Sequence, residues 1–246
     1  MNGTVLLFPP IMEGSQNGMK PLNDGHRERL RNRYLQADGH FPDYDMLELL
    51  LTYAVQRRDV KPIARELVRQ FKDLAGVLDA DMEKLCQVDG IGEKSALLIR
   101  LLRDLCSRYL ESKVQGTEVL SSSAELKDYA RMKLAGYAEE VMMLVCLDVK
   151  NHVISTEIIA RGTVDAAVVY PRNVAAAALN CSASGVIIIH NHPSGVTEPS
   201  RADRQFTRQV QDALRTLDIR LLDHLIVSRT SSYSFLDHGI LERTYG

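Results

Sequence analysis

The chain has 246 residues, 45% of them apolar and 25% charged, with a net charge of −2 at pH 7. That is enough apolar material to fill a core, which excludes wholesale disorder, and the length suits one large domain or two small ones. The near-neutral balance gives no global pull toward nucleic acid or an anionic membrane, so any polyanion contact has to be local.

Residues 1–21 are rich in Gly, Pro, Ser and Asn and are expected to form a flexible tail. The apolar run there is cut by Pro9 and Pro10 and lacks a basic leader, so it does not read as a signal peptide. No stretch is long and apolar enough to span a bilayer. Cys86, Cys106, Cys146 and Cys181 form no C-x-x-C pair and are expected as buried, reduced thiols. A cytoplasmic protein without membrane contact is the expectation.

From 22 to 112 the pattern is helical. "HRERLRNRYL" is a charged helix, "DYDMLELLLTYAV" opens on an acidic first turn, and "VKPIARELVRQF" repeats the apolar spacing with Ile63, Leu67, Val68 and Phe71. "DMEKLCQVDGIGEKSALLIRLLRDLCSRYL" predicts a short helix, a Gly-x-Gly hinge and a long helix. The polar, small-residue stretch 113–123 marks a linker.

Beyond it, "SSSAELKDYARMKLAG" predicts a helix with a Ser cap and a terminal Gly136. "EVMMLVCLDVKNHVISTEII" predicts two strands around a turn at Asp148 to Asn151, and "PRNVAAAALNCSA" a helix opened by Pro171. "GVIIIH" reads as a fully buried strand. "SRADRQFTRQVQDALRTL" reads as an amphipathic helix, and "IRLLDHLIVS" and "SYSFL" close as strands. The alternation over 124–246 predicts an α/β unit, a mixed sheet flanked by helices.

The chemistry concentrates in "VIIIHNHPSGVTEPSRAD". On a strand, His190 and His192 project from one face, close enough to share a cation, while Asn191 points away. Pro193 and Gly195 end the strand, and Asp203 in the first turn of the next helix is able to supply a carboxylate. Read singly, Ser200 and Asp203 make a capping box and H-x-H is an ordinary polar strand end. Together they are much harder to dismiss.

"HNHPSGVTEPSRAD" fits H-x-H-x7-S-x-x-D, the metal motif of the JAMM (JAB/MPN) metallopeptidases. "GTVDAAVVYPRNVAAAAL", "HNHPSG" and "LLDHLIVS" resemble the bacterial RadC family more closely, over roughly 118–240. The helical half, from "RERL" through "DGIGEKSA", resembles the RadC N-terminal region. The resemblance implies a cytidine-deaminase-like JAB/MPN core behind a small all-α helix-hairpin-helix region. It also implies a zinc ion held by His190, His192 and Asp203 with one open position, and Ser200 donating to a developing oxyanion. An upstream Glu is required as general base. Glu140 is favoured, Glu139 is its neighbour by one register step, and Glu157 lies mid-strand. Asp223 and His224 are candidates to orient a ligand. Met142 and Met143 stand where the family often carries aromatic residues.

"LCQVDGIGEKSALLI" resembles a helix-hairpin-helix, whose Gly90, Gly92 and Lys94 suit a DNA phosphate. Against this, residues 21–111 carry 15 basic and 16 acidic side chains, with no basic excess. The leading expectation is a zinc-dependent hydrolase cleaving a peptide or isopeptide-like amide. The alternative is a DNA repair or recombination accessory protein that binds DNA through the hairpin, its second part serving as nuclease, regulator or scaffold.

Overall fold

The computed structural model describes residues 24–37, 40–56, 58–119, 123–162 and 169–241. The expected tail at 1–21 lies outside them, as does "TVDAAV" at 163–168.

The helical part runs α1 (Asp24–Gln36), α2 (Asp43–Ala54), α3 (Lys61–Phe71), α4 (Leu74–Asp79), α5 (Met82–Cys86) and α6 (Glu93–Val114). Leu47, Leu51, Ile63, Leu67, Val77, Leu85 and Ile99 bury their apolar faces together in one cluster. α4 has no periodic signal in the sequence, because six residues are too few to show one. Asp73 caps it, accepting from Gly76 N at 2.6 Å. Gly76 is fixed by crowding: a Cβ there would sit 1.9 Å from the Phe71 carbonyl oxygen.

α7 (Ser123–Leu134) then precedes β1 (Val141–Leu147), β2 (Val153–Arg161), α8 (Pro171–Asn180), β3 (Gly185–Asn191), α9 (Arg201–Arg215), β4 (Arg220–Val227) and β5 (Ser232–Ser234). The strands form one mixed sheet in the order β2-β1-β3-β4-β5. β3 and β4 are parallel and joined through α9, while the other neighbours are antiparallel. Every residue of β3 is buried, as expected of a central strand covered on both faces. One face, with Met143, Val145, Ile187 and Leu225, packs on α7. The other, with Leu144, Ile188 and Ile226, packs on α8 and α9.

Two expectations need correction. Cys146 of β1 and Cys181, just past α8, are bonded as a disulfide rather than standing as reduced thiols, and Cys86 is exposed. The start of the stretch read as a linker is paired. Gly116 N donates to Val153 O, Val153 N to Thr117 O, and Val119 N to Asn151 O, so 116–119 run beside the start of β2. Gly136 is not in the left-handed conformation of a terminal helix glycine. It is there for space, because a Cβ would meet Arg103 Nη2 at 2.7 Å and Asp79 Oδ1 at 2.9 Å.

Those two residues join the helical part to the sheet. Arg103 on α6, almost wholly buried, pairs with Asp79 at 3.1 Å and donates to the Met132 carbonyl of α7 at 3.1 Å. Arg229, after β4, donates to Asp73 at 3.0 Å. Among the described residues no helix is long and apolar enough to cross a membrane.

Candidate metal centre

β3 carries His190 to the face packed on α8 and α9, and the chain leaves the strand just after it. His192 N still donates to Val227 O at 2.9 Å, so both rings remain beside the end of the sheet. Gly195, at φ +87°, turns the chain away and donates to His192 O. α9 then starts beneath the rings with Asp203 in its first turn. His190 Nε2 lies 3.0 Å from His192 Nε2 and 3.3 Å from Asp203 Oδ1, and His192 Nε2 lies 3.6 Å from Asp203 Oδ2. Each of the three residues has a ligand atom within 4.8 Å of the others'. They form the one such His/Cys/Asp/Glu group among the described residues.

The hydrogen bonds decide which ring nitrogens are bare. Thr207 Oγ1 gives its proton to the Asp203 carbonyl at 2.6 Å, so it accepts from His224 Nδ1 at 2.7 Å. His224 is fully buried, and desolvation holds its pKa well below the usual range, so the ring is neutral. Its Nε2 is therefore an acceptor, and His190 Nδ1, 2.9 Å away, is the donor. On the other ring, His192 Nδ1 donates to the Val196 carbonyl at 2.7 Å. In the neutral rings both Nε2 atoms are thus lone pairs facing each other at 3.0 Å, an arrangement that repels unless a cation lies between them. Two nitrogens on one tetrahedral zinc stand about 3.3 Å apart, at bonds of about 2.0–2.1 Å. The residues present fit such an ion, and the donor set of two imidazoles and a carboxylate suits zinc.

Asp203 is braced for the same task. Its Oδ2 accepts from Ser200 N at 2.8 Å and Ser200 Oγ at 2.6 Å, and Ser200 Oγ in turn accepts from Asp203 N. The capping box and the convergence on the histidines thus coexist in one side chain. Burial alone would raise the carboxyl's pKa, but the contacts with His190 and His192, together with the hydrogen bond from Ser200, outweigh it and hold Asp203 ionised far below the usual range. The same contact raises His192, against its burial. Ser200, expected as an oxyanion donor, has its proton directed at Asp203 instead.

Of the three glutamates, Glu140 is half-buried just before β1. Burial raises its pKa, His190 and His192 lower it, and Asp203 raises it, so its carboxylate shares their electrostatic environment. Glu139 and Glu157 are exposed, and Glu157 faces Arg172 and Asn173 across an open groove between β2 and α8. Met142 lies opposite His190 in the β1–β3 register, whereas Met143 is buried on the other face.

Of Asp223 and His224, the candidates to orient a ligand, His224 reaches His190, while Asp223 points to the opposite face. A register shift in β4 puts Asp223 opposite Ile187 and His224 opposite Ile188. Asp223 accepts from Ser234 Oγ at 2.6 Å and Leu236 N at 2.9 Å, on the α7 side and away from the histidines.

Two residues of the surround escape sequence reasoning. Asn191 was expected only to point away. It does, and its buried amide accepts from Val141 N at 2.7 Å and donates to Glu139 O at 3.0 Å, clamping the backbone on both sides of Glu140. Thr207 looks like a polar position on an amphipathic helix, and only its burial against His224 marks it.

Gly90, Gly92 and Lys94 lie far along the chain, at the α5–α6 turn. Gly90 needs its freedom, with φ +90° and a Cβ that would strike Ile63 Cδ1 at 2.5 Å. Gly92 does not, since its φ is −99° and a Cβ would meet nothing within 4 Å. Lys94 is exposed.

Residues 120–240 match the family model described as RadC-like JAB domain. A UPF0758 protein of Ruegeria pomeroyi is 40% identical over 217 residues, covering 88% of this chain and 97% of its own. Another UPF0758 protein, from Fusobacterium nucleatum, is 36% identical over 229 residues, covering 89% and 98%. The chain belongs to the RadC family. The JAB region thus coincides with the sheet and its helices, and every member of the His190–His192–Asp203 cluster falls within it. The likeness to the two relatives extends through most of the helical part as well.

Proposed function

We propose that this RadC-family chain is a zinc-dependent hydrolase that cleaves a peptide or isopeptide-like amide. The observation that carries the reading is the pair of bare Nε2 atoms converging with an ionised Asp203 beside a half-buried Glu140. Zinc, when bound, supplies a Lewis acid that acidifies water and polarises a carbonyl. The chain's own residues do the rest. His190 and His192 are oriented by His224 and the Val196 carbonyl, each presenting Nε2 to the metal position. Glu140, its pKa raised by burial, takes the proton of the attacking water and returns it to the leaving nitrogen. Ser200 orients Asp203 through the capping box. His190 is buried, while His192 and Asp203 keep 12% and 16% of their side chains exposed, so the cluster has one open side for a substrate.

The test is metal analysis combined with a chelator-controlled screen of peptide, isopeptide and DNA substrates. One zinc per chain is expected, lost in His190→Ala. Glu140→Gln should keep the zinc and lose amide hydrolysis by about 10²-fold or more. Zinc-free wild type, or a Glu140→Gln variant of full chelator-sensitive activity, defeats the reading.

A further inference from the structure

The outer face of α9 carries a row of like charges that the chain itself does not neutralise. At about 100° per residue, Arg201, Arg204, Arg208 and Arg215 fall within about 60° of one another, opposite the buried Val210 and Leu214, as a stripe about 21 Å long. Their i, i+3 and i, i+4 spacings set cation beside cation. Arg201 also stands at the first helical position, where the helix dipole disfavours a positive charge. Other helices of the chain place a carboxylate at such a spacing, as in Arg69–Glu66, Arg100–Asp104 and Arg131–Asp128. On α9 only Arg204 is paired, with Glu198 ahead of the helix at 3.1 Å. Arg201, Arg208 and Arg215 are exposed and form no ion pair among the described residues.

We propose that this stripe binds an acidic polypeptide segment laid along α9. Resting on the hydrolase reading, that segment is part of the substrate, because the same helix brings Asp203 to the metal centre in its first turn. Guanidinium forks pair bidentately with carboxylates, and a stripe of about 21 Å takes roughly six extended residues at about 3.3 Å each. The flanking groups select a peptide over a nucleic acid. Gln205 and Gln209, exposed beside the stripe, each offer donors and an acceptor, which match peptide N–H and C=O groups, whereas a phosphodiester backbone only accepts. Asp212 interrupts the row between Arg208 and Arg215, so a continuous line of phosphates meets repulsion there. A peptide sets a neutral or basic residue at that place. The net charge of −2 likewise gives a DNA duplex no long-range attraction.

Fluorescence anisotropy on the full chain carrying Glu140→Gln tests this without turnover, so its outcome does not depend on whether an amide is cleaved. The probes are labelled short peptides of repeated Glu-Ser and of repeated Gln-Ser, and a short DNA duplex. The Glu-Ser peptide should bind, more weakly as salt rises, and the Gln-Ser peptide should not. Arg208→Glu and Arg215→Glu should each weaken binding by about 3- to 10-fold with unchanged helicity, and Asp212→Asn should strengthen it by about 2- to 3-fold. Arg31→Glu, an exposed reversal on α1, should change nothing. Those results uphold the stripe as a peptide-binding surface even where the hydrolysis screen finds no cleavage, which removes only the hydrolase reading. Equal or absent binding of the two peptides, or equal losses from Arg31→Glu and Arg208→Glu, overturns the proposal. So does a duplex that binds more tightly than the Glu-Ser peptide and depends on Arg208, which would assign the stripe to nucleic acid.

Discussion

His190 Nδ1 lies 2.9 Å from His224 Nε2, and that contact sets which nitrogen of His190 is free to bind. The order is imposed from further back, by Thr207, whose hydroxyl proton is committed to the Asp203 carbonyl. Thr207→Val should therefore leave the His224 Nδ1 proton without an acceptor and release the tautomer of both rings. Zinc affinity is expected to fall by about 10-fold or more, the range seen when the partner of a metal-binding histidine is removed. Thr207→Ser keeps the hydroxyl and should bind as wild type. Competition against a chromophoric chelator measures both. Equal affinities for the two variants would show that Thr207 does not fix the rings.

Asn191 makes a different demand. Its amide oxygen is the acceptor for Val141 N, and its nitrogen is the donor to Glu139 O. Asn191→Ala leaves a buried N–H and a carbonyl unpaired, at a cost of about 1–3 kcal/mol in chemical denaturation. It also frees the backbone that carries Glu140 while leaving the three metal-side residues in place. The expected result is full zinc content with hydrolysis reduced by about 10- to 100-fold, as for a misplaced catalytic group. Loss of zinc in parallel with activity would mean that Asn191 holds the histidines instead.

Much of this was legible in the sequence. The strand and helix periods, the H-x-H spacing and the helix-start Ser-x-x-Asp each follow from local geometry, and local geometry is what a linear pattern records. What was missed is what pairs residues remote along the chain. Thr207 meets His224 and Asn191 meets Val141 only once the sheet order brings β1, β3, β4 and α9 together. Adjacent in sequence, Asp223 and His224 were grouped by proximity, yet alternation along a strand sends them to opposite faces. Gly136 erred for a related reason. A glycine's letter states that space or a special angle is allowed, not which of the two is used.

Gly136 leads to a test of how the helical part is tied to the sheet. The Arg103–Asp79 ion pair lies directly over it, at 3.1 Å and mostly out of water. Gly136→Ala would push a methyl into both partners, and the backbone there has no need of a glycine angle. Overpacking of this kind costs about 1–3 kcal/mol. The loss should be read in urea as a lowered midpoint, with the helical part releasing ahead of the sheet. In an Arg103→Met background the same alanine should cost much less, because the crowded guanidinium is gone. Additive costs would place the strain elsewhere.

Asp223 gives the pH dependence. Burial between β4 and α7 pushes its carboxyl up to about 6, even though Ser234 Oγ, Leu236 N and His224 N all donate to it. The charged groups facing it are Asp237, which raises it further, and Lys127 of α7, which is engaged 3.0 Å away from Asp237. In the unfolded chain the group titrates near its ordinary value, about 3.9. Between those two values the folded form holds a proton that the unfolded form has released, so stability falls as pH rises through about 4 to 6. Above that window the ionised carboxylate costs roughly 2–3 kcal/mol, at 1.36 kcal/mol per pKa unit. Asp223→Asn keeps an oxygen for the two backbone donors and a nitrogen to meet Ser234 Oγ, and it removes the charge. The variant should therefore melt above wild type at pH 7 and converge on it toward pH 4. Thermal denaturation of both proteins across that range isolates this one group from the others that titrate. A constant difference between the two would show that the buried carboxylate is not the cause.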